Sequence, residues 1–252
     1  RDKLKLKGKV GITQPRRIAA TSVTSRISDM MGTEVGGRIG YHVRFDDNTS
    51  NETDLVVMTD GILLKKIQYD PLLREFAIIM IDEAHERSLN IDLCLGLLKM
   101  VNESRVSVGM RPIRIVVSSA TIDRNLFAPF IGNGDRDNSV EIQGRMFPVQ
   151  VSYEKDDSPN FDYTMAAARK VKQIINSGSQ GDILIFMPGK REINETIENI
   201  LGEVGYSDIE IIPLHSELSP EEQDKAFLSS QKRKVIIATN IAETSVTIDG
   251  II

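Results

Sequence analysis

Asp82-Glu83-Ala84-His85-Glu86-Arg87 follows directly on the uninterrupted apolar run Ala77-Ile78-Ile79-Met80-Ile81. Such a run has the length and composition of a strand buried on both faces. In open parallel sheets ligands collect just beyond the carboxyl ends of the strands. Two acids in that position suit metal–nucleotide chemistry. Asp82 can hold Mg²⁺ through water, and Glu83 can orient or deprotonate an attacking water. A solvated turn after a buried strand would carry the same residues, so the rest of the chain has to decide.

The same arrangement recurs. Apolar runs end in Thr13-Gln14-Pro15-Arg16-Arg17, Thr59-Asp60-Gly61, Ser119-Ala120-Thr121, His215-Ser216 and Thr239-Asn240-Ile241-Ala242-Glu243-Thr244-Ser245. One polar strand end is ordinary helix capping. Six, distributed over two halves, suggest sheet edges facing a shared cleft. The elements that would position them alternate strand with helix, which predicts an α/β fold with a mostly parallel sheet. Strands are expected at Lys9–Thr13, Leu55–Met58, Ile113–Ser118, Val149–Tyr153, Asp182–Met187, Ile209–Leu214 and Lys234–Ala238. Helices are expected from Pro15 to about Met30, from Thr59-Asp60 through Gln68, over Leu89–Val101, Asp123–Phe130, Tyr163–Asn176 and Lys190–Leu201, and after Ser219, where Ser219-Pro220-Glu221-Glu222 has capping-box spacing. Asp46–Glu52 reads as a loop. The turn cluster of residues 132–139, with Gly144 and Pro148 beyond it, marks a boundary. It divides the chain into residues 1–143 and 144–252.

Composition sets bounds. The chain has 252 residues, 40% hydrophobic and 27% charged, with a single cysteine, so no disulfide framework is available and a reducing, intracellular setting is expected. No apolar run is long enough to cross a bilayer. The formal net charge is −5, yet residues 1–26 hold eight basic side chains against Asp2 alone. Because fields act over roughly 8–10 Å in salt, a local basic face can bind phosphates on an acidic protein. The Lys-Leu-Lys-Leu-Lys alternation can equally be an edge strand with a solvated face.

Taken in order, the clusters resemble the motifs of the DEAH-box ATP-dependent RNA helicases of superfamily 2. TQPRRIAA (13–20) resembles motif Ia, TDGILL (59–64) motif Ib, DEAHERSL (82–89) motif II, SAT (119–121) motif III, LIFMPGKREI (184–193) motif IV and TNIAETSVTIDGI (239–251) motif V. The four-letter DEAH is weak alone; motif V at this length, with the others in order, is specific. The resemblance implies two RecA-like domains, each a three-layer α/β/α sandwich, with ATP at their interface and one RNA strand across both. It assigns Asp82 to Mg²⁺, Glu83 to the hydrolytic water, with both in the metal site, and His85, Ser119 and Thr121 to coupling nucleotide state to movement. Arg16 and Arg17 would grip RNA phosphates, a role for which a guanidinium fork at a helix start is suited. Thr59, Thr244, Arg44 and Phe45 match positions that reach RNA. Ser245 and Asp249 would lie on the nucleotide side, and Arg26 and Phe227 would sandwich the base. Implied partners are single-stranded RNA or a duplex with an overhang, and a protein activator acting through further C-terminal domains; no membrane is implied.

Blander readings stand beside these. Arg16 and Arg17 can be solvated first-turn charges, Ser119 and Thr121 helix caps, Arg26 an exposed helix residue and Phe227 a core residue. His42 and His215 lack metal-ligand spacing, and Leu89 stands where a His-Glu-x-x-His zinc site needs its second histidine. No Gly-x-x-x-x-Gly-Lys-Ser/Thr loop occurs, and no arginine-rich motif VI follows motif V. Both are expected to lie beyond the chain, which reads as an internal piece of a longer protein, inactive by itself. The expected activity of the parent is ATP hydrolysis coupled to 3′→5′ unwinding or remodelling of RNA. A non-catalytic RNA-binding scaffold of the same fold and a DNA translocase are the alternatives.

Overall fold

The computed structural model describes residues 7–120, 127, 139–142, 148–153, 161–205, 209–242 and 248–251. The chain divides into two compact units, Arg1–Ile142 and Gln143–Ile252.

In the first unit six strands form one sheet in the order β3-β2-β4-β1-β5-β6. They are β1 (Lys9–Gln14), β2 (Ile39–Val43), β3 (Asp46–Asn48), β4 (Leu55–Thr59), β5 (Phe76–Ile81) and β6 (Arg114–Val117). All neighbours pair in parallel except the edge hairpin β2–β3. The helices are α1 (Arg17–Met31), α2 (Asp60–Tyr69) and α3 (Leu89–Ser107). Alternation along the strands sorts the two faces. Val57 of β4 turns with Val43 toward Ala20 of α1, whereas Val56 and Met58 join Phe76, Ile79 and Ile81 in a core shared with Leu63 of α2 and Leu98 of α3. A Cβ on Gly11 of β1 would press against the Phe76 ring at 3.0 Å and the Met58 side chain at 3.2 Å. Gly32, at φ +63, ends α1 in the left-handed conformation that glycine adopts without strain.

The second unit contains a parallel three-stranded sheet in the order β7-β9-β8, formed by β7 (Ile183–Phe186), β8 (Ile209–Leu214) and β9 (Arg233–Ala238). Its helices are α4 (Tyr163–Asn176), α5 (Lys190–Val204) and α6 (Pro220–Asp224). Ala168 and Val171 of α4 and Ile193 and Ile200 of α5 pack with Val235 and Ile237 of β9. Asp162 caps α4 through the N–H groups of Thr164 and Met165, and Ser219 and Glu222 form the expected capping box on α6. The fold is α/β, with mostly parallel sheets flanked by helices.

Several local expectations are corrected. Part of Asp46–Glu52 is not loop but β3, because Tyr41, His42 and Val43 pair with Asn48, Asp47 and Asp46; its three polar residues carry no alternation to betray it. Val149–Tyr153 is not a strand, and Val149, Val151 and Tyr153 are exposed. Thr59 stands at the N-cap of α2 but makes no side-chain cap bond. The helix at Asp123–Phe130, apart from Phe127, and the turn cluster up to Asn138 lie outside the described residues, as does the Lys-Leu-Lys-Leu-Lys run apart from Lys7.

Candidate functional site

The parallel registry of the first unit delivers the strand ends to one edge. Gln14 stands beside Thr59, and Thr13 beside Ile81, the residue before Asp82. Three segments then interlock through side chains. Gln14 Nε2 donates to Asp82 Oδ2 at 2.6 Å, and the Glu83 N–H donates to Asp82 Oδ1 at 3.0 Å. An Arg16 Nη2 lies 3.3 Å from Glu86 Oε1. His85 Nε2 approaches Glu83 Oε2 at 3.4 Å, while its Nδ1 accepts from the Ala120 N–H at 3.4 Å. An acceptor role for Nδ1 leaves the imidazole proton on Nε2, pointing at Glu83. The histidine therefore links the acid to the Ser119-Ala120 segment, which also receives the Ala84 N–H at the Ser118 carbonyl, 3.0 Å away.

The backbone makes this arrangement compact. Glu83 and Arg87 adopt left-handed conformations, φ 54 and φ 48, on either side of a single 3-10 turn, Ala84–Glu86. Ala84 is fully buried, and Asp82, Glu83, His85 and Glu86 are half-buried around it. Non-glycine residues held in that region are strained, by an order of 1–3 kcal/mol each, and cluster at functional sites. Burial, then the neighbouring Asp82 charge, raises the Glu83 carboxyl above its ordinary value, the direction that makes a carboxylate a better base near neutral pH.

A second acid lies underneath. Asp60, the first residue of α2, is 3% exposed and its Oδ1 has no hydrogen-bond partner. Burial pushes its carboxyl up to about 6, and the Glu86 charge adds to the effect while the Thr13 hydroxyl tempers it. Thr13 Oγ1 is likewise buried and lacks a well-formed hydrogen bond.

A divalent cation fits the donor set at Asp82. Among the described residues no group of three or more His, Cys, Asp or Glu side chains could hold a metal unaided. Mg²⁺ does not need such a cage, because it keeps most of its waters and takes one or two carboxylates plus substrate phosphates.

The other predicted residues are placed as follows. Arg17 is exposed on the first turn of α1, and Arg26 is exposed further along it. Thr59 is half-buried at the end of β4. Arg44 and Phe45 occupy the β2–β3 turn, where the guanidinium lies 4.7 Å from the centroid of a ring that is 90% exposed. This pair borders an open pocket of about 590 Å³ with Lys65, Lys66 and Tyr69, none of whose lining residues belongs to the Asp82 segment. In the second unit Phe227 is half-buried and Asp249 is exposed in a turn. Ser119 is half-buried; Thr121, Thr244 and Ser245 lie outside the described residues.

Known proteins are similar to this chain along nearly its whole length. An ATP-dependent RNA helicase HrpA of Escherichia coli is 44% identical over 250 residues, 98% of this chain and 18% of that protein. A probable ATP-dependent RNA helicase DHX35 homolog of Caenorhabditis elegans is 42% identical over 95% of the chain and 34% of its own length. Among solved structures, the E. coli DEAH/RHA helicase HrpB superposes with a TM-score of 0.83 at 34% identity, covering 97% of this chain and 30% of that one. Residues 166–252 match the helicase conserved C-terminal domain. The chain belongs to the DEAH-box helicase family. It spans less than two fifths of the length of these relatives.

Three residues that pattern reading passed over are brought to the site by the fold. Gln14 and Asp60 look in sequence like a helix opening and a helix cap, and Glu86 like a surface acid. The burial of Gln14 and Asp60, and the bonds Gln14–Asp82 and Arg16–Glu86, emerge only once the registry of β1, β4 and β5 is known. The strand-end position they share was the available signal.

Proposed function

We propose that the parent protein is an ATP-dependent RNA helicase or translocase, moving 3′→5′, and that the carboxyl edge of the first unit carries both its hydrolytic acids and part of its RNA grip. The observation that supports this reading is the set formed by the bonds Gln14–Asp82 and Arg16–Glu86 and the close approach of His85 to Glu83, which ties a phosphate-gripping segment to a hydrolytic one. Asp82 would hold Mg²⁺, which when bound would supply positive charge to offset the triphosphate. Glu83 orients the attacking water and receives its proton; its raised pKa suits that task. His85 passes any shift of Ser119-Ala120-Thr121 to Glu83. Arg16 and Arg17 hold RNA phosphates, with Thr59, Arg44, Phe45 and Thr244 adding backbone contacts. Such contacts position the strand without reading bases, so broad sequence tolerance is expected. Ser245, Asp249, Arg26 and Phe227 serve the nucleotide.

The test uses the full-length protein with ATP, Mg²⁺ and duplexes bearing single-stranded overhangs. Displacement of RNA duplexes with 3′ but not 5′ overhangs is expected, along with ATP hydrolysis stimulated by single-stranded RNA. RNA binding without hydrolysis would establish the scaffold instead, and equal stimulation by DNA would remove the RNA assignment.

A further inference from the structure

Gln14 terminates β1 and is 2% exposed. A buried amide at a strand end has a cost: an apolar residue would complete the core without a polar group to satisfy. Its Nε2 is committed to Asp82 Oδ2 at 2.6 Å, a short bond strengthened by the carboxylate charge. The Glu83 N–H occupies Asp82 Oδ1 at 3.0 Å. Each carboxylate oxygen thus keeps acceptor capacity on its remaining side, and the two donors fix the plane in which that capacity is presented. The choice of amide is chemically informative. A lysine or arginine here would neutralise Asp82 and compete with a cation, and a glutamate would repel it. An asparagine falls one methylene short. A neutral donor of this length orients the acid and leaves its charge intact.

The position of Gln14 in the chain adds a second consequence. Pro15 follows with a restricted φ, then Arg16, whose guanidinium pairs with Glu86 on the Asp82 segment. A displacement of the Arg16-Arg17 segment therefore reaches Asp82 through one stiff residue and one buried side chain.

We propose that Gln14 is a positioning residue, which holds the Asp82 carboxylate in the orientation that receives the hydrated metal–nucleotide complex and reports to it the occupancy of the Arg16-Arg17 segment. This rests on the reading of Asp82 given under Proposed function. It acts on the carboxylate, not on substrate.

The experiment measures binding of a fluorescent ATP analogue to the full-length protein with and without Mg²⁺. Wild type is compared with Gln14→Leu and Gln14→Glu, each also in an Asp82→Asn background, with thermal melting as a check on folding. Loss of an outer-sphere partner lowers metal affinity by roughly 10–100-fold. Gln14→Leu is expected to weaken Mg²⁺-dependent binding by about 10-fold within that range, to leave metal-free binding unchanged, and to add nothing once Asp82 is Asn. Gln14→Glu, which keeps the shape, is expected to lose more. RNA affinity should persist while RNA stimulation of hydrolysis falls. Equal losses with and without Mg²⁺, or losses that add fully in the Asp82→Asn background, would overturn the assignment. Unchanged Mg²⁺ dependence in both Gln14 variants, with wild type binding Mg²⁺-nucleotide normally, would overturn this inference alone. A wild type indifferent to Mg²⁺ would overturn the reading of Asp82 and the inference with it.

Discussion

Both units bury charge, but the amino and carboxyl ends of their strands use it differently. At the amino end of β5, Arg105 is 6% exposed and well bonded: its Nε and Nη1 donate to the carbonyls of Leu72, Leu73, Phe76 and Arg111 at 2.8–3.2 Å. At the amino end of β9, Lys234 is 5% exposed and donates to the Ala226 and Leu228 carbonyls, with Asp182 at 3.6 Å. Each cation closes a loop that precedes its strand. At the carboxyl ends of β1, β4 and β5, by contrast, Asp60 Oδ1 and Thr13 Oγ1 are buried without a well-formed hydrogen bond, and Glu83 is strained and raised in pKa. Satisfied buried charge fastens structure. Under-satisfaction alone does not mark the carboxyl end, since Arg233 Nε and Nη2 at the amino end of β9 are also buried without partners. What sets the carboxyl edge apart among the described residues is an under-satisfied acid, Asp60, within reach of the Glu86 charge.

The largest stability effect should fall on the amino end. Arg105→Met leaves four carbonyls without their donor and is expected to cost about 3–5 kcal/mol in denaturant unfolding. A loss under 1 kcal/mol would show that water replaces the guanidinium, and the contrast between the two ends would weaken. The opposite sign is expected at the carboxyl end. The Asp60 carboxyl rises from 3.8 to about 6 on folding, so the folded state holds its proton more tightly than the unfolded chain. Its stabilising effect is complete below pH about 4 and disappears as pH rises through about 6. Above that, the ionised acid costs up to about 3 kcal/mol. Asp60→Asn should therefore raise the melting temperature at pH 7.5 and leave it unchanged near pH 3.5. A variant less stable than wild type at pH 7.5 would reveal a partner for the ionised acid. Smaller still is the effect expected of Arg16→Ala on RNA: about a 10-fold weaker complex, with the salt slope reduced by about 1. An unchanged slope would mean that Arg16 serves Glu86 alone.

Much of this was legible in the residues because the chain is locally consistent. The apolar run of β5 and the acids after it, the capping box at Ser219 and the helical face of α4 each announce themselves within a few positions. The motif order then carried the family. What escaped had physical reasons. The hairpin strand β3 is held by pairing with β2 and not by burial of its own side chains, so Asp46-Asp47-Asn48 shows no hydrophobic pattern. Val149–Tyr153 has the alternation of a strand but is exposed. Gln14, Asp60 and Glu86 acquire their roles across the sheet, from neighbours up to 70 residues away, and no local pattern encodes that. Thr59 sits at a cap position, yet the helix is opened without its hydroxyl.

The most direct test of the hydrolytic edge is single-turnover ATP hydrolysis by the full-length protein carrying Glu83→Gln, with nucleotide affinity measured on the same sample. Positioned bases contribute on the order of 10²–10⁴-fold. The expected result is a loss of that size in the chemical step with ATP affinity held within about threefold of wild type. Hydrolysis at the wild-type rate would contradict the account, since Glu83 would then be only the strained residue of a turn.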